Sequence, residues 1–285
     1  MLPDLARMKA AGEQIVMVTA YDYPSARVAE AAGVDVVLVG DSAAMTVLGY
    51  ESTVPITMAE MLVLACACRR GLRRPLFMAD LPFGSYERSD ELAIENAQRF
   101  VKEAGCDAVK LERGGTSVDR ARAIIRSGVP VMGHVGLTPQ TAGQVGGYKA
   151  QGRTAASAAA IAEEAIALQD AGCFALVLEA MPAAVTELLM PALEVPVIGI
   201  GAGPATDGQV LVFHDLVGLQ EGHTPKFVKR YAAIQEELIR AVTAFAADVR
   251  ARAFPGPEHA YGIAPEELHE LRLRLERQRS GPREQ

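Results

Sequence analysis

At 285 residues, 50% hydrophobic and 22% charged, the chain can bury a large core, which argues against intrinsic disorder, and its length allows one large domain or two small ones. A net charge of −7, 5% aromatic residues and no tryptophan exclude the basic stripe and stacking platform of a general nucleic-acid binder. No apolar run approaches the ~18 residues of a membrane span and no signal-peptide pattern opens the chain, so a soluble cytoplasmic protein without membrane partners is expected.

The predicted elements alternate between strand and helix. A first strand runs from about Ile15 to Asp22. A helix from roughly Pro24 to Ala32 follows, with Pro24 suited to a first turn and Gly33 to a stop. Val36-Val37-Leu38-Val39 then runs unbroken into Gly40-Asp41-Ser42, the pattern of a strand buried on both faces in a parallel sheet. A long loop, Ala43 to Pro55, precedes a helix from Thr57 to about Arg70, opened by a Thr57/Glu60 capping box. The third strand ends at Asp80, and Ser89 caps a helix to about Ala104, stopped by Gly105.

The fourth strand carries Lys110 and Glu112 and is followed by a helix over roughly Ser117 to Ser127. The fifth ends at His134 and leads into a glycine-rich polar stretch, Thr138 to Gly152, long enough to act as a lid. Next come a helix over Thr154 to Asp170, a sixth strand ending at Glu179, and a short helix over Val185 to Met190. The seventh and eighth strands cover Val195 to Ile200 and Gln209 to Phe213. A long helix from Pro225 to about Arg250 closes this unit. The tail from Pro265 to Gln285, with Leu268, Leu271 and Leu275 among charges, reads as an amphipathic packing helix. Eight strands with helical crossovers predict an α/β fold, a (β/α)₈ TIM barrel forming a single domain over 1–285, with an extra C-terminal helix at about 264–280. An open doubly wound sheet is the competing architecture.

The chemistry sits at the carboxyl ends of these strands. Asp41 and Asp80 end strands that are neighbours if the order is sequential, and two carboxylates at one rim repel unless a proton or a cation lies between them. Hard oxygen ligands suit Mg²⁺, with Glu112 on the next strand as a third; helix capping or an ion pair is the plainer alternative. Lys110 and Glu112, two apart, project to one face, where the lysine either holds an anionic substrate or forms a structural salt bridge. His134, alone at a strand end, suits a site or a satisfied structural role. Glu179, flanked by Leu178, Ala180 and Met181, is expected to be poorly solvated, which raises a carboxyl toward a useful base, unless it merely caps the following helix. Gly199, Gly201 and Gly203 are spaced for close backbone packing rather than as a dinucleotide fingerprint. His214 and Asp215 read as structural. Cys66, Cys68, Cys106 and Cys173 lack metal-site spacing and are expected to be buried free thiols.

Taken in series, Val18 to Pro24, Gly40-Asp41-Ser42, Leu48 to Thr57, Asp80 to Tyr86, Lys110-Leu111-Glu112, Gly133 to Gln140, Leu178-Glu179 and Asp207 to Leu211 closely resemble the ketopantoate hydroxymethyltransferase family. The resemblance covers Val18 to about Tyr231. It implies a Mg²⁺-dependent TIM barrel of pantothenate biosynthesis that moves a one-carbon unit from 5,10-methylenetetrahydrofolate to 3-methyl-2-oxobutanoate, through a metal-stabilised enolate, giving 2-dehydropantoate. On the matching positions it implies Asp41 and Asp80 as metal ligands that also face the keto acid, Glu112 as a further ligand, Ser42 and Lys110 as keto-acid binders with His134 nearby, and Glu179 as the base. It also implies a homo-oligomer, commonly a decamer. Ala43-Ala44 replace the family's usual Leu-Gly, and Arg113 precedes the glycine pair that usually follows the glutamate directly; either can alter affinity or loop geometry. Two other readings are a carbon–carbon lyase of the isocitrate lyase/phosphoenolpyruvate mutase superfamily and a catalytically silent binding barrel. The first usually carries a lid cysteine, absent between Thr138 and Gly152, and the second would have lost the rim charges.

Overall fold

In a computed structural model that describes residues 2–220 and 224–280, eight parallel strands pair in sequence order and β1 closes back onto β8. The strands are β1 (Ile15–Thr19), β2 (Val36–Val39), β3 (Leu76–Asp80), β4 (Ala108–Glu112), β5 (Val131–Gly136), β6 (Ala175–Glu179), β7 (Val197–Ile200) and β8 (Gly208–Leu211). The helices are α1 (Leu2–Ala11), α2 (Tyr23–Ala32), α3 (Ala43–Thr46), α4 (Met58–Gly71), α5 (Asp90–Ala104), α6 (Ser117–Arg126), α7 (Ala155–Asp170), α8 (Ala183–Leu189), α9 (Phe213–Val217), α10 (Ile234–Arg250) and α11 (Pro265–Ser280). The fold is the expected TIM barrel, and closure removes the open sheet from consideration.

Strand alternation divides the core in two and also aims the site. Val36, Leu38, Leu76, Met78 and Met132 fill the barrel interior, while Val37, Val39, Phe77 and Val109 pack outward against helices. Both faces are therefore buried, which is why the strands read as unbroken apolar runs. Continuing the inward series by steps of two reaches Asp80 after Met78, Lys110 and Glu112 after Ala108, His134 after Met132, and Glu179 after Val177. The polar groups of the upper rim are thus the top layer of the barrel's own interior.

Several boundaries differ from the sequence-based expectation. β1 stops at Thr19, because Asp22 serves as N-cap of α2, its Oδ1 accepting from the Ser25 N–H at 2.8 Å. The expected loop after Ser42 begins with the short helix α3, and α8 starts two residues earlier than expected, at Ala183. β8 ends at Leu211 and α9 follows, and the helix expected from Pro225 begins at Ile234 after the Tyr231 N–H has bonded the Leu216 carbonyl at 2.8 Å. The Thr57/Glu60 capping box forms as expected, with bonds of 2.8 and 3.2 Å. All four cysteines are free; Cys66 is half-buried and the others are buried, with burial pushing the Cys173 thiol up to about 12.

The helix α1 was not anticipated, since two buried apolar residues in ten leave little periodicity. Its Leu5 and Met8 join the barrel-interior cluster, and Lys9 Nζ reaches Asp207 Oδ2 at 2.8 Å just before β8. α1 thus covers the amino-terminal ends of the strands.

The chain divides into two compact units after Ala233. In the second, the Phe254 ring packs against Phe245 at 5.5 Å and His259 at 5.0 Å, and Leu238, Ile239, Val242, Phe245 and Val249 of α10 are exposed. The expected C-terminal helix is α11; the last five residues of the predicted tail lie outside the described residues.

Candidate active site

Parallel register puts the strand-end charges side by side. Asp80 pairs across from Lys110, Glu112 from His134, and Gly136 from Glu179. Asp41 joins them from the turn after β2, its backbone N–H donating to Asp80 Oδ2 at 3.0 Å. All the predicted site residues, Asp41, Ser42, Asp80, Lys110, Glu112, His134 and Glu179, line one cavity of about 110 Å³. The structure leaves none of them outside it.

Two features at the end of β5 and β6 hold this geometry. At Gly136, φ is 95° and an added Cβ would lie 2.3 Å from the Glu179 carbonyl oxygen, so only glycine permits this approach. Ala180 adopts φ 47°, uncommon for a residue with a Cβ, and turns the chain immediately after Glu179. Its N–H donates to the Ile200 carbonyl at 2.8 Å and its own carbonyl accepts from Gln151 at 2.9 Å. That second bond ties the end of the Thr138–Gly152 stretch to β6.

The contacts within the rim are those of ions. Lys110 Nζ lies 2.8 Å from Asp80 Oδ1, and His134 Nε2 lies 3.2 Å from Glu179 Oε2, while Nδ1 stands 3.5 Å from Glu112 Oε1. Asp80 Oδ1 and His134 Nε2 are thus each engaged by an opposite charge. The Thr53 hydroxyl, buried in the same cavity, has no hydrogen-bond partner among the described residues. Burial and the Lys110 cation oppose charge on His134, but the Glu112 and Glu179 carboxylates outweigh them and lift its pKa to about 9. Burial likewise opposes the Lys110 ammonium, and Asp80, Glu112 and Asp41 more than restore it, raising its pKa. Asp41 is raised well above the usual carboxylate range by burial first, then by the Asp80 and Glu112 charges.

Four carboxyl groups therefore face one ammonium and one imidazolium in a buried cavity, and the raised Asp41 shows how strongly they repel one another there. A divalent cation fits so carboxyl-rich a cavity, and Asp41 and Asp80, both lining it, are the oxygen donors that would hold it. Among the described residues no three His, Cys, Asp or Glu side chains form a ready ligand cluster, so ligands from substrate or water would have to complete the shell.

Sequence reasoning assigned no role to Gln140, Tyr21 or Tyr86, and the structure places all three behind the rim. Gln140 Nε2 donates to Asp41 Oδ2 at 2.8 Å and to the Leu81 carbonyl at 2.9 Å, its backbone N–H donates to Glu112 Oε2 at 3.0 Å, and its Oε1 accepts from Tyr86 at 2.8 Å. The Tyr21 and Ser42 hydroxyls share a bond of 2.8 Å. The available signal was that each lies inside one of the recognised motifs although its residue type carries no charge. His214 and Asp215 stay outside the cavity, with His214 against the Tyr21 ring at 5.3 Å. Gly201 packs closely, as expected: a Cβ there would meet the Phe227 ring at 2.6 Å. The departures are also placed. Ala43 and Ala44 are fully buried in α3, and Arg113 bonds the His134 carbonyl through its N–H while its guanidinium pairs with Glu164 of α7.

Comparison with known proteins adds to this geometry. The family model of ketopantoate hydroxymethyltransferase matches residues 1–257. The 3-methyl-2-oxobutanoate hydroxymethyltransferase of Moorella thermoacetica is 54% identical over 260 residues, 91% of this chain and 97% of that one. The enzyme of the same name from Geobacillus kaustophilus is 50% identical over 264 residues, 93% and 95% of the two chains. Among solved structures, oxaloacetate acetylhydrolase bound to 3,3-difluorooxalacetate superposes with a TM-score of 0.59 at 15% identity, covering 99% of this chain and 98% of that one. That last likeness is one of fold alone.

Proposed function

The chain belongs to the ketopantoate hydroxymethyltransferase family, and from that premise we propose that it transfers a one-carbon unit from 5,10-methylenetetrahydrofolate to 3-methyl-2-oxobutanoate, giving 2-dehydropantoate. The observation that carries this reading is the convergence of four carboxyl groups with Lys110 and His134 around a cavity of about 110 Å³, small enough for a short keto acid. An anionic substrate enters such a site only with a cation. Asp41 and Asp80 would hold Mg²⁺, with Glu112 behind them, and the ion would act as a Lewis acid toward the keto and carboxylate oxygens.

The chain's own residues supply the rest. Lys110 places a fixed positive charge where negative charge grows as the C3 proton leaves. Glu179 is the base: its side chain is 16% exposed against 1% for Glu112, so it alone of the two opens toward solvent and an incoming partner. The His134 ring, wedged between these carboxylates, orients Glu179 through Nε2. Ser42, anchored by Tyr21, and the unpartnered Thr53 hydroxyl offer hydrogen bonds to substrate oxygens. Water releases the donor's methylene from both nitrogens at the formaldehyde level, leaving tetrahydrofolate; C3 then bonds that carbon as its C=O π bond opens, and the resulting alkoxide takes a proton to become the product's hydroxymethyl group.

This reading includes a homo-oligomer, a decamer by family resemblance, working in the cytoplasm. The exposed apolar residues of α10 support self-association. The test is turnover with 3-methyl-2-oxobutanoate and 5,10-methylenetetrahydrofolate, with and without Mg²⁺. Product formation that requires all three supports the proposal, and keto-acid cleavage without folate would favour a lyase instead.

A further inference from the structure

From Leu48 to Pro55 the loop after α3 is exposed or half-buried at every residue except Thr53, which is 2% exposed. The loop is pinned at both ends. The Tyr50 N–H donates to the Ala44 carbonyl at 2.8 Å, the Tyr50 hydroxyl donates to Glu60 Oε1 at 2.9 Å, and Glu60 Oε2 accepts from the Thr57 N–H at 2.8 Å. A fixed loop thus carries one side chain into the inner cavity, and that side chain ends in a hydroxyl with no hydrogen-bond partner among the described residues. Burying such a hydroxyl costs stability, and a valine would fill the same space without that cost. The packing of the loop gives no reason for a hydroxyl there; a ligand of the cavity does.

We infer that Thr53 is a catalytic residue of the condensation, its hydroxyl donating a hydrogen bond to the oxygen of the one-carbon unit as C3 bonds that carbon. The inference rests on the transferase reading above and deepens it. Two observations select this oxygen. In that reading the keto and carboxylate oxygens of the acid are met by Ser42, Lys110 and the Asp41/Asp80 pair, which lie on β3 and β4 or in the turn directly after β2. Thr53 comes instead from the loop, against the glycine-rich stretch: the Tyr148 hydroxyl lies beside the Thr53 backbone N–H and donates to Met45 Sδ at 3.9 Å. An outer cavity of about 580 Å³ adjoins the inner one, with Tyr148 and Glu179 in its wall. Thr53 and the base therefore both border the side from which a carbon can arrive.

The electron count closes on these residues. As C3 forms the new bond, the C=O π pair of the one-carbon unit moves onto its oxygen. Among four carboxyl groups a newly charged oxygen needs a donor already in place. Lys110 is committed, with Nζ 2.8 Å from Asp80 Oδ1, whereas the Thr53 hydroxyl is free and carries no charge for the carboxylates to capture. The oxygen then receives the proton that Glu179 took from C3, which restores the base and calls for no other acid.

Thr53→Val keeps the shape and removes the hydroxyl, and Thr53→Ser keeps the hydroxyl. Three readouts are taken on the full chain: kcat and both KM values with 3-methyl-2-oxobutanoate and 5,10-methylenetetrahydrofolate, C3 exchange of the keto acid in deuterated water without folate, and the urea midpoint. Thr53→Val should lower kcat by ~100-fold, the scale of one lost donor to a developing oxyanion. Both KM values should stay within about twofold, because the bond forms only as the new oxygen charge appears. Exchange should run at the wild-type rate and the urea midpoint should not fall, while Thr53→Ser recovers most of kcat. Wild-type kcat in Thr53→Val would overturn the assignment and leave the transferase reading intact. Loss of exchange together with a raised keto-acid KM would place the hydroxyl on the keto acid and also overturn it. If Thr53→Val does not fold, Thr53→Ala is judged by the same split between kcat and exchange. A wild-type enzyme that exchanges C3 but makes no product with the folate would overturn the transferase reading itself.

Discussion

The two ends of the barrel use the same residue types to opposite purpose. At the amino-terminal end, aspartates that precede strands bond the N–H groups of neighbouring strands: Asp35 to Val16 at 2.8 Å, Asp107 to Phe77 at 2.9 Å and Asp207 to Val197 at 2.9 Å. Glu30 accepts from the Arg73 and Arg74 N–H groups at 3.0 and 3.2 Å and from Arg74 Nε at 2.9 Å. Each of these carboxylates has its donors in place. At the carboxyl-terminal end, Asp41, Asp80, Glu112 and Glu179 outnumber Lys110 and His134, and the buried Thr53 hydroxyl beside them has no hydrogen-bond partner among the described residues. One end matches each carboxylate with donors and holds the barrel together; the other gathers more carboxyl groups than cations around a cavity.

The sharpest way to break this contrast is at Gly136. Gly136→Ala forces a Cβ against the Glu179 backbone at a φ that disfavours side chains. A loss of about 3–5 kcal/mol in urea unfolding is expected, with activity abolished because Glu179 is displaced. A near-neutral effect would mean that the β5–β6 contact is not what fixes the base.

Gln140→Leu probes the upper rim more selectively. It removes the bonds to Asp41 Oδ2, the Leu81 carbonyl and the Tyr86 hydroxyl but keeps the backbone bond to Glu112. Stability should fall by about 1–3 kcal/mol, and the midpoint for Mg²⁺ activation should rise about 10–100-fold, as for residues that orient metal ligands. An unchanged Mg²⁺ midpoint would remove Asp41 from the ion's shell.

Glu30→Gln gives the smallest effect and belongs to the other end. The Arg73 N–H, aided by Arg74, outweighs burial and holds the Glu30 carboxyl down, from an ordinary 4.5 to about 2. Because its folded pKa is depressed, Glu30 stabilises the fold fully above pH 4.5, and that contribution disappears as pH falls toward 2. Glu30→Gln should therefore cost about 1–2 kcal/mol at neutral pH, flatten the stability profile across that acid window, and leave KM unchanged. A stability loss that persisted unchanged at pH 2 would point to packing instead of charge.

The legibility of the molecule follows the same division. The barrel was readable because two-sided burial turns strands such as Val36–Val39 into continuous apolar runs, and each delivers its polar residue at one end. The charged members of the site were readable for the same reason, since a charge closing an apolar run has few places to go. Gln140 and Tyr86 were not, because a neutral polar side chain gives no such conflict until its partners, 26 to 99 residues away in the chain, are placed. Helix α1 was missed through its weak periodicity, and the aspartates of the lower end looked like ordinary loop residues. The outer cavity had no sequence signature, because its walls come from five separate segments that meet only in the fold.

The central claim is that Glu179 removes the C3 proton of a keto acid held at the acidic rim. The direct measurement is exchange of that proton into deuterated water by Glu179→Gln, with Mg²⁺ and keto acid but no folate. Loss of exchange while keto-acid binding persists is the predicted result. Exchange at the wild-type rate would contradict it and would assign the base to another residue.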